Sequence, residues 1–178
     1  MSERIILDAG HGGRDSGASF GDRIEKDDNF AMTLEVGRIL EEQGFDVVYT
    51  REEDIYQAPF RKATIANELG GDLFVSIHRN SSGTPNQYQG IETLVYSEGG
   101  FPEEVAENIN DELEELGYIN LGVEERPRLV VLNSTQMPAV LVEVGFINSD
   151  ADNELFSTMF EETARAIANG IAESFEEE

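Results

Sequence analysis

Residues 139–146 have the sequence AVLVEVGF, and this stretch decides the fold class. Glu143 is the only polar side chain in it, so a strand built from these residues would be apolar on both of its faces. Strands that are apolar on both faces are typical of parallel sheets, because helices cover such sheets on both sides. The stretch therefore predicts a buried strand in an α/β domain.

Similar short apolar runs occur on both sides of this stretch and predict further strands. They are RIILDA (4–9), FDVVYT (45–50), DLFVSI (72–77), GIETLVY (90–96) and LVVL (129–132). Apolar residues at three- and four-residue spacing predict helices between them. These helices run from Glu25 to Gly44, from Pro59 to Leu69, around Val105 to Leu116, and from Ser149 or Asp150 towards the C-terminus, with a connector at 117–127.

This alternation of strands and helices predicts one α/β domain over residues 1–178. Its central sheet should be twisted and mostly parallel, with about six strands and with helices on both faces. In the first helix, four residues share the spacing of a core-facing stripe. They are Phe30, Leu34, Gly37 and Leu40.

The charge balance excludes two classes of partner. The chain has 12 Lys+Arg against 37 Asp+Glu, a formal net charge of −25. Nucleic acid and anionic membrane surfaces would both be repelled by such a charge, so neither is expected as a partner. There is no cysteine, and no apolar run approaches the roughly 18 residues that a membrane span needs.

The chain has only two histidines, and each follows a predicted strand closely. His11 follows the strand 4–9, and His78 follows the strand 72–77. In open α/β sheets, ligands bind at the carboxyl ends of the strands, which is where both imidazoles are expected. Glu25, at the start of the first helix, would add a carboxylate.

Two imidazoles and one carboxylate match the ligand set of catalytic zinc sites, which leave a fourth position for water. They also match the facial triad of non-haem iron oxygenases, so residue types alone leave both metals open.

Glu143 is a second candidate for chemistry. A carboxylate inside an apolar strand is costly unless it is paired, close to a metal or functional. The alternative is a strand residue that faces solvent at a sheet edge. The neighbouring residues are apolar on both faces of the predicted strand, which favours a functional role for Glu143.

Several short motifs lie between residues 4 and 172. They are LDAGHGGRDSGA (7–18), EKD (25–27), Thr50-Arg51 with Asp54, Arg61, Ala66-Asn67, DLFVSIHRN (72–80), GIET (90–93) and PAVLVEVGFINS (138–149). In type and order these motifs resemble one family, the zinc-dependent N-acetylmuramoyl-L-alanine amidases of the amidase-3 type.

The resemblance implies a site and a reaction. It assigns Zn²⁺ to His11, Glu25 and His78, and the catalytic carboxylate to Glu143. The implied substrate is peptidoglycan, cut at the amide between N-acetylmuramic acid and the L-alanine of the stem peptide. Asn80 is a candidate for substrate contact. A supporting role is expected for Asp8, Asp15, Arg51, Arg61 and Asn67.

Competing hypotheses are another zinc peptidase or amidohydrolase, an iron oxygenase, and a non-catalytic wall-binding domain. The family also implies action outside the cell at the wall, as an autolysin or a phage endolysin. We expect that the natural protein has a wall-binding module, which this chain lacks, as it lacks a signal peptide. The loop between Asn80 and Gly90 is too short for the autoinhibitory helix of some relatives, so the site should be open.

Overall fold

The computed structural model describes residues 1–176, so the last two residues of the predicted domain lie outside it. Its strands are β1 (Arg4–Ala9), β2 (Ser19–Phe20), β3 (Arg23–Ile24), β4 (Asp46–Tyr49), β5 (Leu73–Asn80), β6 (Ile91–Val95), β7 (Asn120–Glu125) and β8 (Ala139–Phe146). Its helices are α1 (Glu25–Glu42), α2 (Pro59–Leu69), α3 (Gly100–Glu115), α4 (Val130–Asn133), α5 (Asp150–Thr158) and α6 (Phe160–Glu176).

Six strands form the central sheet in the order β4-β1-β5-β8-β6-β7. The first four are parallel to one another, β6 runs antiparallel to β8, and β7 is parallel to β6. The prediction of a mostly parallel sheet of about six strands is confirmed. The remaining two strands, β2 and β3, form a small antiparallel hairpin before α1, which was not predicted.

Helices cover both faces of the sheet, as predicted, because alternate strand residues enter two separate cores. On β1, Ile5 and Leu7 join the larger core beneath α1, α3 and α6, whereas Ile6 joins a smaller core beneath α2 and α4. No helix within residues 1–176 is long and apolar enough to cross a membrane.

The prediction of a strand at 129–132 was wrong. Residues 130–133 form the short helix α4, whose Val131 and Leu132 pack into the smaller core. A short apolar run fits a buried strand or one helical turn equally well, so its periodicity does not separate the two. The sixth strand is instead β7, inside the predicted connector at 117–127; it lies at the sheet edge and is partly exposed.

Two helix predictions also need correction. The last predicted helix is interrupted at Met159, which has φ −120° and ψ 39°, so α5 and α6 are separate. In α1 the core-facing stripe contains Met32, Val36 and Leu40, whereas Leu34 is 39% exposed. The spacing of apolar residues allowed two overlapping stripes, and packing against the sheet and α6 selects one of them.

The close crossing of α3 and α6 gives a testable prediction. A Cβ atom at Gly170 would lie 2.6 Å from the backbone N and Cα of Ile109. Gly→Ala in a helix interior normally stabilises by about 0.5–1 kcal/mol, but here backbone would have to move. We expect Gly170→Ala to lower the free energy of unfolding by about 1–3 kcal/mol in urea titrations.

The control is Glu173→Ala on the exposed side of α6, which should change stability by less than about 0.5 kcal/mol. A more stable Gly170→Ala protein would show that the two helices can separate at no cost.

Candidate metal centre

The sheet order brings the three predicted ligands to one place. β1 and β5 are parallel neighbours, so the loop that carries His11 begins beside the end of β5 that carries His78. The loop returns through the hairpin and ends at Glu25, the first residue of α1. One ligand-type atom from each of the three residues lies within 4.8 Å of the other two.

The Glu25 carboxylate lies between the two imidazoles. Its Oε2 is 3.1 Å from Nε2 of His11 and 3.2 Å from Nδ1 of His78. The two rings meet edge to face, with centroids 5.0 Å apart. Two nitrogen donors and one oxygen therefore converge on a common point.

Further donors hold the buried Glu25 side chain. Asn29, one turn further along α1, donates from Nδ2 to Oε2 over 3.1 Å. The backbone N–H groups of Ala18 and Arg79 donate to Oε1 and Oε2 over 3.1 and 3.2 Å. Burial raises the pKa of Glu25, but hydrogen bonds and charge from His11 and His78 outweigh it and hold the pKa far below its usual range.

His11 is fixed by its backbone and by a second carboxylate. Its φ of 61° is unusual for a residue other than glycine, and such conformations concentrate at functional sites. Its Nδ1 lies 2.8 Å from Oδ2 of Asp15, which leaves Nε2 directed to Glu25. Burial lowers the pKa of His11, but Glu25 and Asp15 together raise it to about 9.

Gly10 makes room for this arrangement. A Cβ at this position would lie 2.3 Å from Cε1 and 2.4 Å from Nε2 of His78. Any other residue would displace the imidazole, so the glycine before His11 is required by the close approach of β5.

Glu143 lies beside the triad in the sheet. It is paired in register with His78 on β5 and with Glu92 on β6, so the three side chains form a row on one face. Its Oε2 is buried without a hydrogen-bond partner among the described residues. Burial is the main cause that raises the pKa of Glu143 to about 7; Glu25 and Glu92 add to the rise and His78 opposes it.

The other predicted residues have mostly internal contacts. Asn80 donates from Nδ2 to Glu92 over 3.0 Å and accepts from the Ser81 N–H, so much of its amide is already engaged. Asp8 is fully buried and accepts hydrogen bonds from Thr50, Lys62 and Ser76.

Arg51 and Asn67 bind backbone groups. Arg51 donates to the carbonyls of Ala9 and Gly10, and Asn67 links α2 to residues 134–136. Arg61 is exposed and has no ion pair or hydrogen bond from its side chain within residues 1–176.

Three residues of the site were missed by sequence reasoning. Asn29 supports Glu25, the Arg79 N–H donates to the same carboxylate, and Glu92 lies next to Glu143. Asn29 could have been found, because it lies four residues after Glu25 and therefore on the same helix face. The other two depend on how β5 packs against the start of α1 and on the register of β6 with β8, and the residue spacing gives neither.

A cleft opens beside the triad on the α2 and α4 side. Its volume is about 270 Å³, and its lining includes His11 and His78, Gln57 and Lys62 near α2, and Arg128 to Val131 around α4. The loop between Asn80 and β6 contains no helix, which agrees with the predicted absence of a covering element. The triad is thus reached from solvent through this cleft.

The residues present fit a metal ion. The donor set is nitrogen and oxygen only, the three groups converge, and the histidine side chains remain 26% and 18% exposed on the cleft side. A site with three protein ligands and an accessible face is typical of catalytic metals rather than structural ones. The fold is thus an α/β domain that brings a three-residue group able to hold a metal to the carboxyl ends of its strands.

Comparison with known proteins identifies the family. The family model for N-acetylmuramoyl-L-alanine amidase matches residues 5–173, so the chain belongs to this family, and the resemblance noted from the sequence is confirmed. It is 32% identical to the sporulation-specific N-acetylmuramoyl-L-alanine amidase of Bacillus subtilis, covering 97% of this chain and 68% of that protein.

The chain is also 35% identical to the endolysin of Bacillus phage SPP1, over 97% of this chain and 66% of the endolysin. Among solved structures, it superposes on an N-acetylmuramoyl-L-alanine amidase from Clostridium difficile 630 with a TM-score of 0.92. The two are 27% identical, and the match covers 98% of this chain and 97% of that one.

The environment of His11 predicts how metal binding depends on pH. With a pKa of about 9, His11 is protonated at pH 7 in the metal-free protein, and it must lose that proton to bind a metal. In a Glu143→Gln background, Zn²⁺ should release about one proton per ion at pH 7. The apparent affinity should rise about tenfold per pH unit from pH 6.5 to 8 and level off near 9.

Calorimetry in buffers of different ionisation enthalpy measures this release. Asp15→Asn removes one of the two carboxylates that hold the proton, so fewer protons should be released at pH 8. Binding without proton release at pH 7 would contradict the assignment of His11.

Proposed function

We propose that this protein is a zinc-dependent peptidoglycan hydrolase that cuts the amide between N-acetylmuramic acid and the L-alanine of the stem peptide. One observation carries the proposal: in a chain of the amidase family, His11, Glu25 and His78 converge beside Glu143, whose buried Oε2 has no hydrogen-bond partner within residues 1–176. Zinc would be held by the first three residues.

Bound zinc supplies Lewis acidity, which activates water and polarises the scissile carbonyl. The chain contributes the positioning. Asp15 fixes the His11 ring through Nδ1, and Asn29 with two backbone N–H groups fixes Glu25. Such supporting contacts orient ligands and preserve their geometry during turnover.

Glu143 is proposed as the general base and acid. It lies opposite His78 in the register, where a carboxylate could accept a proton from water and return it. In the metal-free protein burial raises its pKa to about 7, and a bound dication would lower that pKa. The proton taken from water would pass to the leaving amine of L-alanine. Glu92 lies beside this carboxyl group, and Asn80, which donates to Glu92, retains amide capacity for a substrate contact.

We place the action of the protein at the cell wall, outside the cytoplasm. The relatives named above include a bacterial sporulation amidase and a phage endolysin, so both autolysin and endolysin roles fit this family. A wall-binding module in the natural protein would raise the local concentration of the catalytic domain at an anionic wall, which a net charge of −25 opposes.

The reaction is tested by the new end groups in digested wall material. Purified sacculi treated with the zinc-loaded protein should gain alanine amino termini and no reducing sugar ends. Chelation should abolish this activity and added zinc should restore it, since water without the metal is a poor nucleophile.

Other outcomes separate the competing hypotheses. New amino termini other than alanine would indicate another peptidase, and dependence on iron and oxygen would indicate an oxygenase. Binding to sacculi without any cleavage would indicate a wall-binding domain.

The role of Glu143 is tested by Glu143→Gln. This change keeps the shape of the side chain but removes proton transfer, so kcat should fall by about 10²–10⁴-fold while stoichiometric zinc is retained. His78→Ala is the comparison, because it should lose zinc as well as activity. A Glu143→Gln enzyme within about twofold of the parent would remove Glu143 from the mechanism.

A further inference from the structure

One cationic side chain in the cleft beside the metal centre has no ion pair or hydrogen bond within residues 1–176. The lining of this cleft includes two basic side chains, Lys62 and Arg128, and two carboxylates, Asp8 and Asp15, which are bound to Lys62 and His11. Lys62 is buried, and its ammonium binds Asp8 at 2.7 Å and the Ala9 carbonyl at 2.9 Å. The exposed Arg128 guanidinium has no ion pair or hydrogen bond within residues 1–176.

Arg61 also lacks such a partner within residues 1–176, but of the two arginines only Arg128 lines the cleft. There are 12 Lys+Arg for 37 Asp+Glu, and neighbouring Arg126 is paired with Glu124. An anionic ligand that approaches the cleft meets repulsion from the molecule as a whole. A free guanidinium at the cleft supplies a local attraction of the opposite sign and a forked donor that fits a carboxylate.

A second group in the cleft lacks a partner. Gln57 lines the cleft and donates from Nε2 to the Thr50 carbonyl over 2.8 Å, while its Oε1 is buried with no hydrogen bond among the described residues. A buried acceptor of this kind normally has a partner, and rotation of the Gln57 side chain into the cleft would offer its amide to a ligand N–H. Leu129, Val131 and Leu141 supply apolar surface between these polar groups.

This combination fits a peptide better than a sugar. An acidic peptide has three kinds of group that this lining can bind. Its amide N–H groups can donate to Gln57, its small apolar side chains can pack on the apolar lining, and its carboxylate can pair with Arg128. A neutral sugar has no carboxylate to pair with the arginine.

We propose that this cleft binds the peptide side of the scissile bond, and that Arg128 selects a carboxylate on the residue that follows L-alanine. The inference rests on the proposed amidase function, and it states which half of the substrate binds on the α2 and α4 side of the metal centre. Arg128 is thus a specificity residue.

The test uses two soluble N-acetylmuramoyl-L-alanyl peptides with amidated C-termini. They differ only in the next residue, which is glutamate in one and glutamine in the other. The parent enzyme should prefer the carboxylate peptide in kcat/KM by about tenfold, the scale of one charge-assisted hydrogen bond. Arg128→Ala should remove this preference through KM and leave the glutamine peptide within about twofold.

Arg128→Lys keeps the charge but loses the fork, so it should retain part of the preference. Arg165→Ala is the matched control, because it removes an exposed arginine on α6, outside the cleft lining, and should leave the preference unchanged. An unchanged preference in Arg128→Ala, or an equal loss on both peptides, would overturn the proposal.

A binding measurement separates this inference from the proposed function. The free L-alanyl peptides are titrated into Glu143→Gln protein with and without Arg128→Ala. If no muramoyl peptide is cleaved at all, the amidase proposal fails, and the binding data still decide the role of Arg128. A tenfold weaker Kd for the carboxylate peptide alone supports that role, and an unchanged Kd rejects it.

Discussion

The buried carboxylate of Glu25 is the group on which the rest of the site depends. An ionised carboxylate away from water is costly unless donors surround it, and here the donors come from separate segments. His11 and Ala18 belong to the loop after β1, Asn29 to α1, and His78 and Arg79 to β5. Because the Glu25 carboxylate needs donors from all three segments, its burial fixes the loop, the helix and the strand relative to one another.

The two faces of the sheet have different roles: one packs against the larger core, and the other carries side chains of the site. On the face beneath α1 and α6, Leu7, Ile77 and Val142 keep the strands apolar up to their carboxyl ends. On the opposite face, Asp8, His78 and Glu143 follow the apolar residues of the smaller core. The helices on that face are short, with 11 residues in α2 and 4 in α4, and between them they leave the cleft.

Three of the 12 Lys and Arg residues of this acidic chain are buried around the strand ends that carry the site. Lys62 and Arg51 both donate to backbone carbonyls at the end of β1, and Arg79 binds Asp28 and the carbonyls of β8. All three are buried, so removing one partner would leave an uncompensated charge inside the protein. They hold the base of the site rigid, whereas Arg128 remains available to a ligand.

The sequence by itself determined the fold class and the ligand types. A strand that is apolar on both faces requires helices on both sides of the sheet, and this set the fold class. The chain has only two histidines, both near strand ends, and Glu25 begins the first helix, and these set the ligand types. The sequence did not determine strand order or helix faces, and its short apolar runs did not separate a strand from a helical turn, which explains the error at 129–132. Pairings such as Glu143 with Glu92, or Arg79 N–H with Glu25, join residues 51 and 54 positions apart. Only the tertiary structure could decide them, because register and packing between distant segments set which polar groups meet, and local periodicity contains no information about that.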